Sequence, residues 1–296
     1  MMKFIRVVIL NYNNSKYTIE LTENLKKQEY THYEIIVVDN GSKASEVNLL
    51  KLKLHNTIHC IYSDVNLGYA AGNNLGMRYV SETTPDYYFV LNNDVIINDN
   101  ELLRKLLLTF NCKLERKILA VCPLIDTVAT NIPLNQQMQV RRVLPTIKLF
   151  FVCCTVFKLF TRSWFNSYIY KDKMPYLSRY TESDTINGAA FMIDASFMKN
   201  NNFLDEGTFL FFEEIILGKQ IIDAGGTCVL NGYTSMVHLQ GMSTKSSFRK
   251  LNTKMERYKL NSELYYFKKY AEVNQLFLFC YFIFKKLEVG LKKIIY

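Results

Sequence analysis

Asp86-Tyr87-Tyr88-Phe89-Val90-Leu91-Asn92-Asn93-Asp94-Val95 passes from an apolar run into a polar cluster without a break. Tyr87 to Leu91 is aromatic, aliphatic and β-branched, which suits a strand covered on both faces. Asn92, Asn93 and Asp94 then set short, oxygen-bearing side chains directly at its carboxyl end. In an open α/β sheet that edge is where ligands bind. The same three residues also suit a plain Asx-rich turn, and this stretch taken alone favours the turn.

Working outward toward the N-terminus, the pattern repeats. Ile5 to Leu10 is a short β-branched run ending at Asn11-Tyr12-Asn13-Asn14. Lys16 to Gln28 carries Ile19, Leu21 and Leu25 between polar residues, predicting an amphipathic helix capped by Ser15. Glu34 to Val38 predicts a second strand, ending in Asp39-Asn40-Gly41-Ser42. Val47 to Leu54 reads as a helix and Thr57 to Tyr62 as a third strand. Asn66-Leu67-Gly68-Tyr69-Ala70-Ala71-Gly72-Asn73-Asn74-Leu75-Gly76 is a small-residue turn opening another helix. Strands and helices alternate, and each strand ends in a polar loop. This argues a parallel sheet with helices on both faces and four polar loops on one carboxyl edge.

Downstream, Glu101 to Phe110 predicts a helix, and the regular pattern weakens after Pro123. Residues 126–139 read as a polar loop, and residues 147–165 are aromatic and basic. Regularity returns at Ile186-Asn187-Gly188-Ala189-Ala190-Phe191-Met192-Ile193. A helix is expected near Ser196–Asn200. Another runs from Ile215 to Ala224, ended by Gly225-Gly226. Short strands at Thr227–Leu230 and Ser235–Val237 follow, and His238 comes after the second. No internal repeat is present.

A chain of 296 residues, 49% hydrophobic and 21% charged, has the composition of a globular protein with a sizeable core. The net charge of +9 is unevenly spread. Residues 245–296 hold ten Lys and two Arg against four Glu, a surplus of eight. Residues 140–173 hold seven Lys or Arg against one Asp, a surplus of six, which leaves the remainder at −5. Such segments attract anionic lipid or nucleic acid. No nucleic-acid recognition motif accompanies them, so nucleic acid is the poorer fit. The seven cysteines are odd in number and form no C-x-x-C pair, which predicts buried thiols in a reducing cytosol. No signal peptide is evident, and the longest apolar run, Leu276 to Phe284, is far short of the roughly 20 residues of a membrane span.

No Gly-x-Gly-x-x-Gly follows the first strand and no P-loop is present, which disfavours dinucleotide and P-loop enzymes. Asp39 after the second strand suits a hydrogen bond to a base or ribose, and equally a turn with Asn40-Gly41. In their order and spacing, Val37-Val38-Asp39-Asn40-Gly41-Ser42, residues 66–76, Leu91-Asn92-Asn93-Asp94-Val95 and Glu213-Glu214 resemble family 2 glycosyltransferases. The rhamnosyltransferase-like enzymes of bacterial surface polysaccharide synthesis are the most similar subgroup. The resemblance spans roughly residues 4–244, apart from the middle.

The resemblance implies a GT-A fold, an α/β architecture with a mostly parallel central sheet, and inverting transfer from a UDP- or dTDP-sugar. Asp39 would meet the base. Asn11, Tyr12, Asn66, Gly68, Asn74, Asn92, Asn93 and Asp94 would complete the donor side. Asp94, in an Asn-x-Asp variant of the family's Asp-x-Asp, would bind Mg²⁺ or Mn²⁺, which offsets charge on the leaving diphosphate. His238 opens a His-x-x-Gly-x-Ser run (His238, Gly241, Ser243) and would approach the metal. Gly188, Ala189 and Glu213 would lie on the acceptor side, though Gly188-Ala189-Ala190 reads equally as a packed strand. Glu214 would be the general base; it stands where the family commonly has Asp, and Ile216 replaces a further acid.

Residues 1–244 are thus expected to form the catalytic domain, with 133–180 a variable basic-aromatic insert. Residues 245–296 are expected to form a helical membrane-associating segment. The implied setting is the cytoplasmic face of the plasma membrane, on an anionic surface, with a lipid-linked or polysaccharide acceptor. Two rivals remain at this stage. A sugar-nucleotide nucleotidyltransferase would need a basic Gly-rich loop after the first strand, where Asn11–Asn14 offers none. The other is an inactive glycan- or lipid-binding relative.

Overall fold

The computed structural model describes residues 2–54, 58–154, 157, 160–239 and 253–295. Gly241, Ser243, His55 and the boundary expected at 244–245 lie outside them. The first four strands, β1 (Ile5–Asn11), β2 (Tyr33–Asn40), β3 (His59–Ser63) and β4 (Tyr87–Asn92), pair in parallel in the order β3-β2-β1-β4. Their near-continuous apolar character has a direct cause. Ile5, Val7, Ile9, Val37, Phe89 and Leu91 enter one core. Val8, Ile36, Val38, Tyr88 and Val90 enter the other. Alternate side chains point to opposite faces, so a sheet with two covered faces needs apolar residues at every position. Each such side chain contributes about 1.5–3 kcal/mol on burial.

Three helices connect these strands: α1 (Ser15–Leu25), α2 (Ala44–Leu54) and α3 (Tyr69–Met77). The expected Ser15 cap of α1 is corrected. Asn14 is the N-cap residue and makes no side-chain capping bond. Ser15 instead donates its N–H to Glu46 Oε2 (2.8 Å) and its hydroxyl to the Glu46 carbonyl (3.0 Å), which ties α1 to α2.

The second half of the sheet is mixed. It contains β5 (Val95–Ile97), β6 (Lys117–Thr127), β7 (Tyr180–Ser183), β8 (Ala190–Asp194) and β9 (Gly226–His238). β8 lies antiparallel between β4 and β6, β9 is parallel to β6, and β5 and β7 are antiparallel to β9. Six of the nine described strands therefore run one way and three the other, in keeping with the mostly parallel sheet expected. The two short strands expected at 227–230 and 235–237 are one strand. β9 passes through Asn231–Thr234 opposite a register shift between Pro123 and Leu124 of β6. From β1 the chain moves to β2 and β3 on one side, and β4 returns on the other. The strand order therefore reverses between β1 and β4, the place where an open α/β sheet holds its ligand in a crevice at the carboxyl edge.

The remaining helices are α4 (Leu102–Thr109), α5 (Thr146–Cys153), α6 (Arg162–Tyr168), α7 (Ala195–Asn200), α8 (Glu213–Asp223), α9 (Thr253–Lys269) and α10 (Gln275–Ile295). The region expected as an insert is built into the body. Val140, Tyr170 and Tyr176 join the main core. Leu149 and Phe150 of α5 pack with Ile215 and Ile216 of α8, Phe267 of α9 and Tyr281 of α10. Within this third core Lys285 approaches Glu263 (3.4 Å) and Glu288 (3.9 Å), and it donates to the Cys153 carbonyl (2.9 Å). No described helix is long and apolar enough to cross a membrane. All seven cysteines are free.

Candidate active site

The crevice is lined first by the end of β1. The Asn11 amide donates to Asp39 Oδ1 (2.8 Å), and its oxygen accepts from Thr18 Oγ1 (2.7 Å) and Asn93 Nδ2 (3.0 Å). Ser42 N donates to Asp39 Oδ2 (3.2 Å). Asp39 is thus anchored by both oxygens, and a carboxylate retains further lone pairs for a base or ribose. Tyr12, just past Asn11, is exposed.

At the end of β4 the three polar residues divide by direction. Asn93 turns inward and donates to Asn11, to the Asn14 carbonyl and to Thr18. Asp94 faces His238 of β9, with Oδ1 lying 3.1 Å from Nε2. β5 and β9 make this pairing inevitable, since Val95 is directly opposite His238. One carboxylate oxygen and one imidazole nitrogen so close, with side chains 11% and 12% exposed, are a donor set that suits a divalent cation. No group of three or more His, Cys, Asp or Glu side chains exists among the described residues. A cation here would therefore take its remaining ligands from phosphate oxygens or water.

The loop before α3 is held by Asn40. Its amide donates to Asn66 Oδ1 (3.2 Å) and the Gly68 carbonyl (2.9 Å), while Leu67 N donates back to it (3.0 Å). Gly68 has φ +86°, and a Cβ there would lie 2.3 Å from the Phe209 carbonyl oxygen. The glycine is required by the protein's own backbone. Two of the residues expected on the donor side are held by the protein's own groups in the same way. Asn74 is fully buried and engaged with Leu204 N and O (3.0 and 2.8 Å) and Glu206 Oε1 (2.7 Å). Asn93 is engaged by β1 and α1. Both amides brace loops, and neither has a free donor for a ligand.

The acid pair opens α8 after Phe211 and Phe212, whose φ values are +75° and +73°. Left-handed backbone costs a bulky residue about 1–3 kcal/mol. Glu214 packs on Gly188 so closely that a Cβ at 188 would lie 2.9 Å from its Oε1. Its other oxygen is 3.5 Å from an Arg141 nitrogen. Burial, then the neighbouring Glu214 carboxylate, pushes Glu213 up to about 8. At neutral pH Glu213 is therefore protonated and can donate a hydrogen bond. Burial and the two acids hold the Tyr69 phenol far above its usual range, so it donates, reaching the Gly188 carbonyl at 2.6 Å. Ala189 accepts from Asn92 N (2.9 Å). The segment Gly188–Ala189 therefore touches Glu214 on one side and the end of β4 on the other.

Sequence reasoning passed over Arg141, Tyr69 and Asn40. Tyr69 and Asn40 sit inside quoted motifs, and their signal was position next to a motif residue. Arg141 lies in a stretch without periodicity, 73 positions before Glu214, and only the surplus of positive charge marked it. His32 and His59 are packing residues, against Phe4 and Tyr79.

Comparison with known proteins places these features in context. Residues 6–169 match the family described as Glycosyl transferase family 2. Glycosyltransferase GlyG of Streptococcus pneumoniae is 30% identical over 102 residues, which is 34% of this chain and 33% of that one. The low-salt glycan biosynthesis hexosyltransferase Agl10 of Haloferax volcanii is 34% identical over 103 residues, 34% of this chain and 31% of that one. The chain thus spans about a third of the length of these relatives. Among solved structures, the mannosyltransferase PcManGT of Pyrobaculum calidifontis, in complex with GDP-Man and Mn²⁺, superposes with a TM-score of 0.57 at 11% identity. It covers 93% of this chain and 66% of that one. The central sheet and its flanking helices are those of the GT-A fold.

Proposed function

The chain belongs to glycosyl transferase family 2, and on that premise we propose that it transfers a sugar, with inversion, from a UDP- or dTDP-sugar to a glycan hydroxyl. The observation that carries this reading is Gly188–Ala189, which joins the Glu214 carboxylate to the Asn92–Asp94 edge. A donor diphosphate at Asp94 and an acceptor hydroxyl at Glu214 would then meet across one short segment. Asp39 accepts from the imide N–H of uracil or thymine. Glu214, 3.5 Å from the Arg141 guanidinium, takes the proton from the acceptor hydroxyl. The freed oxygen pair forms a bond to the anomeric carbon as the bond to the diphosphate oxygen breaks, and that oxygen keeps its electron pair. Glu213, protonated, donates to the acceptor. Mg²⁺ or Mn²⁺ held by Asp94 and His238 would supply positive charge for the departing diphosphate.

The setting we infer is the cytoplasmic face of a bacterial plasma membrane, with a lipid-linked acceptor of a surface polysaccharide. Its support is α10. Leu276, Phe279, Ile283 and Leu287 are all exposed and fall along one stripe of the helix, with Lys286 at its margin. Tyr281, Lys285 and Glu288 form the opposite, buried stripe. A helix packed on one side and apolar with flanking lysine on the other suits a lipid interface.

The test is release of nucleoside diphosphate from a panel of UDP-, dTDP- and GDP-sugars by the full chain with Mn²⁺ and bacterial lipid extract. Asp94→Ala and Glu214→Gln should each lose about 10²-fold or more in turnover while melting as the parent does. Full activity of either variant removes that residue from its role.

A further inference from the structure

Leu204 to Phe212 delivers the chain to Glu213 and Glu214, and it is gripped from two sides. From α3, Asn74 clasps Leu204, and Tyr69 N donates to the Phe209 carbonyl (2.9 Å). From α9, Ser262 Oγ donates to the Leu210 carbonyl (2.8 Å). The Tyr258 ring stacks on Phe209 with centroids 4.4 Å apart. Asp205 accepts from Tyr265 (2.7 Å), Lys269 (2.8 Å) and Tyr270. Phe212 abuts the Tyr266 ring at 5.6 Å.

Two bulky residues in succession with left-handed backbone persist only where their surroundings over-determine them. On either side of Phe211, α9 holds the Leu210 carbonyl and the Phe212 ring, and it lies outside the matched segment 6–169. We propose that α9 is a strap that sets the orientation of the Glu213–Glu214 carboxylates, with Tyr258 and Ser262 as positioning residues for transfer. The inference rests on Glu214 acting as the base. Neither positioning residue contacts a carboxylate. They hold the backbone carbonyl of Leu210 and the ring of Phe209, three and four residues before the acid pair. Their effect falls on alignment of the base with the acceptor hydroxyl, while nucleotide binding at Asp39 and Asp94 is left alone. Asp205 anchors the far end, so the loop is stretched between two fixed points on one helix.

The experiment compares the full chain with Tyr258→Ala/Ser262→Ala, Ser262→Ala alone and Tyr258→Phe, with Glu214→Gln in parallel. Turnover is read with whichever sugar nucleotide of the UDP, dTDP and GDP panel the parent consumes. Nucleotide binding is read by calorimetry with UDP, dTDP or GDP and Mn²⁺, and loop protection by hydrogen exchange of residues 203–214. The double variant should lose about 10²-fold in kcat, the cost of a displacement of about 1 Å. Its donor KM and nucleotide affinity should stay within about twofold. Ser262→Ala should fall between it and the parent, and Tyr258→Phe, which keeps the stacked ring, should match the parent. The amides of 203–214 should exchange faster in the double variant. Should the double variant fail to fold, Ser262→Ala alone carries the same comparison. Unchanged kcat, or a loss shared equally by nucleotide binding, overturns the strap. If Glu214→Gln is inactive while the α9 variants are unaffected, the strap fails alone. Full activity of Glu214→Gln, or a parent that consumes no donor, removes the reading beneath it.

Discussion

Glu213 and Glu214 are adjacent in sequence and differ in surroundings. One is pushed up to about 8 by burial and by its neighbour, and the other sits 3.5 Å from a guanidinium. In the proposed reaction Glu213 is the proton donor and Glu214 the proton acceptor. Glu213 has a folded-state value above the ordinary 4.5. Its contribution to stability is therefore fully present below about 4.5 and is lost as the pH rises through about 8. Turnover should show an alkaline limb near the same pH, where a second negative charge appears beside the base. Glu213→Gln mimics the neutral form, so it should keep turnover near neutrality and abolish that limb. A limb that survives in the variant assigns it to another group. The sequence already held Asp94, Glu214 and His238, because each follows a strand or opens a helix in a familiar order. It could not separate Asn92 from Asn93, since Asn93 turns inward only where folding brings Asn11, Asn14 and Thr18 to it. Nor could it reveal Arg141, whose partner is brought to it by the packing of the middle region.

At the scale of elements, the parallel strands were readable because two covered faces demand apolar residues at every position. β6 and β9 were harder. Pro123 interrupts the first and Asn231-Gly232 the second, and the structure absorbs both in the register shift that the two strands share. Asn231 completes the irregularity by donating to Thr109 Oγ1 (2.9 Å) and accepting from Tyr233 N (2.9 Å). Such a bulge has no periodic signature, so its reading needs the partner strand. Asn74 poses the sharper question, since its motif position suggested a ligand contact and its bonds describe a brace between α3 and the loop at 204–206. Asn74→Ala should cost about 2–3 kcal/mol, because buried groups of Leu204 lose their partners. The midpoint of thermal unfolding should fall by about 2 °C for each kcal/mol. Affinity for UDP with Mn²⁺, read by calorimetry, should be unaltered. A selective loss of nucleotide affinity at unchanged stability would return Asn74 to the donor site.

For the whole molecule, the sheet edge carries Asp39, Asp94 and His238, α8 carries Glu213 and Glu214, and α5, α8, α9 and α10 share a third core. Composition flagged the basic, aromatic segments of this core, but not that they pack on α8, the helix that carries the acid pair. Aromatic side chains such as Phe150 and Phe267 carry no period that says which partner they will meet. The exposed stripe of α10 predicts binding to vesicles containing phosphatidylglycerol, weakening as salt rises, and little binding to pure phosphatidylcholine. Phe279→Ser with Leu287→Ser should weaken that binding by about tenfold or more, the value of removing two large apolar side chains from an interface. Co-sedimentation decides it, and equal binding by the double variant would leave the stripe without a lipid role.

Beside that stripe, an apolar groove of about 400 Å³ is lined by Ile147, Phe150, Phe151, Leu276, Phe277 and Cys280. Cys280 is the one exposed thiol of the seven. A thiol-reactive, polarity-sensitive dye should therefore react fastest at Cys280, ahead of the partly exposed Cys60, Cys112 and Cys153. The protein comes with its own reporter: the emission of a dye on Cys280 registers whether that face meets water or hydrocarbon.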